Sequence, residues 1–103
     1  MSELQLPIGR RLDCVFGPFV PRLCLVTPEQ LELTIPTLDS SAVQEVDVAP
    51  VWLRGGLLML SWTERDGTVV VHVHDYERLE VHSHARLPDG TLVRSAGELR
   101  WVA

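Results

Sequence analysis

Four histidines stand close together in the chain, His72, His74, His82 and His84. Each pair is spaced i, i+2, the interval at which side chains of an extended strand share a face. If the two segments form a hairpin centred near Arg78, His72 meets His84 and His74 meets His82. Cross-strand neighbours lie ~4.5–5.5 Å apart at Cβ. At that spacing two or three imidazoles can hold Zn, Ni or Cu. The alternation speaks for a different placement. His72 and His74 alternate with Val71 and Val73, and Glu80 and Arg86 share the phase of His82 and His84. This pattern predicts valines facing inward and a solvated imidazole face, with no metal and no cofactor expected. The opposite phase would turn the imidazoles inside.

Carboxylates form the second group, with Glu64, Asp66, Asp75, Glu77 and Glu80 gathered near turn signals. Turn ends hold carboxylates for structural reasons. Glu64 shares the phase of Trp62, however, so it could sit at the mouth of an enclosed sheet with a raised pKa. Asp75-Tyr76 lies at the opposite end of the next strand. A carboxylate or phenol at a pocket mouth could do general acid–base work. No nucleophile elbow, GxGxxG, P-loop or HExxH occurs, and Gly55-Gly56 reads as a turn. All nine basic residues are arginine. Schiff-base chemistry through a lysine amine and a lysine general base are therefore excluded.

The elements that must position these groups read as strand after strand. Arg11–Phe16, Phe19–Thr27, Glu29–Ile35, Val43–Leu53, Leu57–Thr63, Thr68–His74 and Leu79–Arg86 follow one another. Thr91–Arg94 and Glu98–Val102 close the chain around a break at Ser95–Gly97. Pro36–Ala42 reads as a polar loop. Asp66-Gly67 and Pro88-Asp89-Gly90 are hairpin turns. No apolar helical stripe persists for ten residues. Seven to nine strands joined by short turns make an antiparallel meander. Closure removes its two edges. The expected fold is all-β, a small up-and-down antiparallel barrel of about eight strands spanning 1–103 as one domain; a sandwich is the alternative.

Period-2 phasing places Leu31, Leu33, Val46, Val48, Trp52, Val71, Val73, Val81, Leu99 and Trp101 inward. Leu57–Thr63 is apolar on both faces, Leu58, Leu60 and Trp62 forming one and Leu57, Met59 and Ser61 the other. A second copy of the chain or a loop would cover the outer face, and a homodimer is the natural expectation. Val81, Ser83 and Ala85 are small. Eight strands leave an interior that is either filled or holds one small ligand.

Length, charge and cysteine usage bound the setting. The chain has 103 residues, a formal charge of -5, 46% hydrophobic residues and 22% charged ones. It is long enough for one folded core. The acidic balance speaks against nucleic acid or an anionic membrane surface as partner. The first nine residues lack the apolar region of a secretory signal, and no run approaches a membrane span. Cys14 and Cys24 make no zinc spacing; they read as free thiols, or as a pair across a hairpin near Phe19. A cytoplasmic protein is expected.

The segment from Val51 to Val102 resembles the MoaF-like (molybdenum-cofactor-biosynthesis protein F-like) domains. The resemblance rests on Ser61-Trp62-Thr63-Glu64, the Asp66-Gly67 turn, a Val-rich strand running into Asp75-Tyr76, then Pro88-Asp89-Gly90 and the late Gly97. It implies a calycin-type, lipocalin-like barrel and supplies no catalytic residue. The namesake resembles two such units in tandem, where this chain has one. The family often has Tyr where Leu57 or Leu58 stands.

Together these readings give a small-molecule-binding barrel for an apolar or amphipathic ligand. Trp52, Trp62 and Trp101 are expected as walls, and Arg54, Glu64, Tyr76 and Ser83 as polar contacts. An isomerase, cyclase or decarboxylase acting on a hydrophobic metabolite is the enzymatic alternative, with Glu64 or Tyr76 as its titratable group. A metal-binding protein built on the four histidines is the third.

Overall fold

A computed structural model describes residues 5–36 and 41–103. Eight strands follow in order: β1 (Arg11–Val15), β2 (Arg22–Thr27), β3 (Gln30–Pro36), β4 (Ser41–Arg54), β5 (Leu57–Thr63), β6 (Val69–Asp75), β7 (Glu80–Arg86) and β8 (Leu92–Trp101). Each pairs antiparallel with the next, and β1 pairs with β8 to close the barrel. The central part of the Pro36–Ala42 loop lies outside the described residues. β8 runs unbroken through Ser95–Gly97, where the sequence suggested a break. Among the described residues no helix is long and apolar enough to cross a membrane.

Closure depends on one glycine. A Cβ at Gly97 would collide with the carbonyl oxygen of Val15. Only a residue without a side chain lets β1 and β8 approach at that point.

Alternate residues of every strand fill the lumen. Leu12, Leu23, Leu25, Leu31, Leu33 and Val48 are buried, as are Leu58, Leu60, Trp62, Val70, Val81 and Leu99. Val46, Trp52 and Trp101 are half-buried and pack against this core.

β6 departs from its expected phase. His72 and His74 are inside, at 3% and 1% exposure, and Val71 and Val73 point outward. The cause is register. In the β5–β6 hairpin Trp62 opposes Val70, Leu60 opposes His72 and Leu58 opposes His74. Directly opposed residues of an antiparallel pair lie on the same face. Because Leu58, Leu60 and Trp62 fill the lumen, the histidines must follow. The next hairpin is shifted by one residue from the expected pairing. His72 opposes Ser83 and His74 opposes Val81, with Leu79 in the left-handed region at φ 55° in the connection. A slip of one residue exchanges the faces. His82 and His84 therefore stay on the outside, and the four imidazoles do not form one patch.

Candidate functional site in the barrel lumen

The two ends of the lumen are built differently. At one end the ring of Tyr76 stacks on Trp101, with centroids 5.5 Å apart, and meets the edge of Trp52 at 6.2 Å. The guanidinium of Arg10 lies 4.0 Å above the Trp101 ring, a cation–π arrangement. These rings stopper the barrel. The space beneath them is only about 10 Å³, too small for more than one water.

The other end opens into a cavity of about 340 Å³. Its walls are mainly apolar, with Phe16, Leu33, Ile35, Trp62 and Val70 prominent. His72 and Ser83 border it deeper in the lumen, and Glu64 and Asp66 stand towards its mouth. The room comes from β7 and β8, which contribute the small Ser83, Ala85 and Ser95 where β3, across the lumen, contributes Leu33 and Ile35. The volume sits at the lower end of the ~300–1,000 Å³ typical of small-molecule sites.

Polar side chains link the two ends. Nδ1 of His72 and Nε2 of His74 share a hydrogen bond of 3.1 Å. Nδ1 of His74 shares another, of 3.3 Å, with the Tyr76 hydroxyl. The Trp62 ring meets His72 edge-on at 4.7 Å. Burial holds His72 down at about 4, and burial together with the neighbouring His72 keeps His74 well below 6.5. Both rings are therefore neutral at pH 7, and each offers one lone pair. Burial pushes the Tyr76 hydroxyl above its ordinary value.

At the mouth, Trp62 Nε1–H donates to Glu64 Oε2 at 3.2 Å. Burial raises the Glu64 carboxyl above 4.5, against the opposing pull of this bond. The Asp66 carboxylate accepts from the Thr68 amide at 2.9 Å and is held below the usual range. These groups give the mouth two carboxyls shifted in opposite directions, Glu64 up and Asp66 down.

Of the sequence-derived site residues, the cavity brings together Trp62, Glu64 and Ser83. Trp52, Tyr76 and Trp101 gather at the stoppered end. Arg54 stands outside, 3.7 Å from Glu77 in an exposed ion pair. His72 and Phe16 border the cavity without having been singled out for it. The hairpin register carried the signal for His72.

These features define a class, the small closed meander barrel with a lumenal cavity at one end and stacked rings at the other. The chain belongs to the MoaF-like family, whose pattern matches residues 8–100. A crystal structure described as a "putative beta-lactamase from Burkholderia vietnamiensis" is similar to it, with a TM-score of 0.86 over 98% of this chain and 100% of that one. The two sequences are 16% identical, so the likeness is one of fold. Among curated proteins no match was found.

Proposed function

We propose that the barrel binds one small apolar or amphipathic molecule in its open-ended lumen. The observation that carries this reading is the 340 Å³ space lined by Trp62, Leu33 and the small residues of β7 and β8. Apolar walls drive entry, and a few placed polar groups fix orientation. His72 has Nδ1 engaged by His74, so its Nε2 is the atom left for an occupant. Ser83 and Glu64 offer further polar contacts. The test uses the neutral fluorophore 1-aminoanthracene. Saturable one-to-one binding with quenching of tryptophan emission supports the reading. No binding, or equal binding by a variant whose lumen is filled by Ala85→Phe, overturns it.

Glu64 favours a second reading, catalysis on such an occupant. It is a half-buried carboxyl beside the cavity, raised by burial, where a general acid or base would stand. A reaction found for the protein should then be lost in Glu64→Gln while 1-aminoanthracene still binds.

The outer wall of β4–β6 supports self-association. Val51, Leu53 and Val69 are exposed there, beside the half-buried Leu57 and Met59. A second copy would cover this wall in a homodimer. Sedimentation velocity on the chain and on Met59→Lys tests it, dimer and monomer being the respective expectations. Cys14 faces the lumen and Cys24 the outside, both unpaired and too differently placed to bridge the β1–β2 hairpin.

A further inference from the structure

Cys14 of β1 and His72 and His74 of β6 are all buried. One donor atom from each lies within 4.8 Å of the other two. We propose that Cys14, His72 and His74 form a binding site for a divalent transition metal of the zinc class. The site is separate from the dye-binding reading of the cavity and does not depend on it.

Four observations support the assignment. The donor set is one thiol and two imidazoles, which suits Zn(II) and Co(II). The spacing is close to that of coordination. Zn–N bonds of ~2.0–2.1 Å and a Zn–S bond of ~2.3 Å put tetrahedral donors roughly 3.3–3.6 Å apart. The His72 and His74 nitrogens already stand 3.1 Å apart, so the rings must open by a few tenths of an ångström. From the 4.8 Å limit the sulfur must close by at most roughly 1.2–1.5 Å. Next, the Tyr76 hydroxyl engages Nδ1 of His74 and fixes that ring with Nε2 towards the site, as outer partners of metal-bound imidazoles do. Finally, two imidazoles and a thiol are buried in the lumen among Leu12, Leu31, Leu58, Leu60 and Val81. Burying polar groups there costs free energy that aliphatic residues would not.

Three protein donors leave a fourth position for water or for an occupant of the cavity that His72 borders. The proton balance is simple. Cys14 binds as thiolate and releases one proton. The hydrogen shared between the two rings moves to the far nitrogen of the ring that carried it, so both rings bind neutral.

The test titrates the full chain, stripped with a chelator, with Co(II) alone. Expected are one-to-one binding, a thiolate-to-cobalt charge-transfer band in the near ultraviolet, the visible bands of a tetrahedral ion, and displacement by Zn(II). Cys14→Ser should lose the charge-transfer band, and Cys24→Ser should keep it. His72→Gln or His74→Gln should weaken binding by at least about tenfold, and Tyr76→Phe by about 10- to 100-fold. His82→Gln with His84→Gln should change nothing. All three donors lie in the core, so the spectrum of the unmodified chain is decisive even where a variant fails to fold. A chain that binds Co(II) without a thiolate band, or only through His82 and His84, or not at all, overturns the proposal. Loss of 1-aminoanthracene binding with an intact cobalt spectrum counts against the cavity reading alone.

Discussion

The two ends of the lumen share the same eight strands and differ in the size of the residues that face each other. At the stoppered end Trp52, Tyr76 and Trp101 meet. At the open end Trp62, Ser83, Ala85 and Ser95 line a cavity. A barrel of eight strands is just wide enough for either outcome. Side-chain volume on two strands, β7 and β8, decides where this one is solid and where it is hollow.

Breaking the stopper should have the largest effect. Trp101→Ala removes the stack on Tyr76 and the seat of Arg10. We expect a loss of about 2–4 kcal/mol, somewhat below a fully buried Trp→Ala because Trp101 is half-buried. The matched change at the open rim, Phe19→Ala, should cost less than about 1 kcal/mol, since that ring is 46% exposed. Urea unfolding of the two variants measures the contrast directly.

Filling the hollow end comes next. Ala85→Phe should lower 1-aminoanthracene affinity by at least about tenfold, which is about 1.4 kcal/mol, measured by fluorescence titration. Its unfolding midpoint should move little, because the ring enters existing space. In metal-free protein, Tyr76→Phe removes one hydrogen bond to His74 and should cost about 1 kcal/mol. Urea unfolding in the presence of a chelator reads it.

The smallest effect is a pH dependence at the open mouth. Burial raises the folded-state value of Glu64 above its ordinary 4.5, so folding favours the neutral carboxyl. The stability this contributes is fully present below about pH 4.5 and is lost as pH rises through the higher folded value. Trp62 emission should titrate over the same window, because its indole N–H donates to that carboxyl. Glu64→Gln should abolish the titration and flatten stability against pH in that range.

The barrel itself was legible in the sequence because strand periodicity and turn chemistry are local. Asp66-Gly67 and Pro88-Asp89-Gly90 each mark a hairpin that exists. Leu31, Leu33, Val81 and Leu99 point inward as their alternation with polar neighbours implies. β6 misled because one of its faces is valine up to the terminal Asp75 and the other is Val70, His72 and His74. Hydropathy alone turns the valines inward. The outer wall beside them is itself apolar, through Val51, Leu53 and Met59, so outward valines have suitable neighbours there. Counting pairs outward from the Asp66-Gly67 turn fixes the phase, since the partners of Leu58, Leu60 and Trp62 are His74, His72 and Val70. The one-residue shift in the next hairpin was not legible. It depends on Leu79 adopting a conformation that leucine seldom takes. The meeting of Cys14 with His72 and His74 crosses the lumen between strands far apart in sequence, and only closure brings it about.

With its far end blocked by stacked rings, the barrel is a cul-de-sac. Whatever enters must leave by the same door, past Phe16 and Phe19 at the rim. Residence time should therefore follow the mobility of those two phenylalanines, and a bulkier rim should slow uptake and escape alike without altering the equilibrium between them.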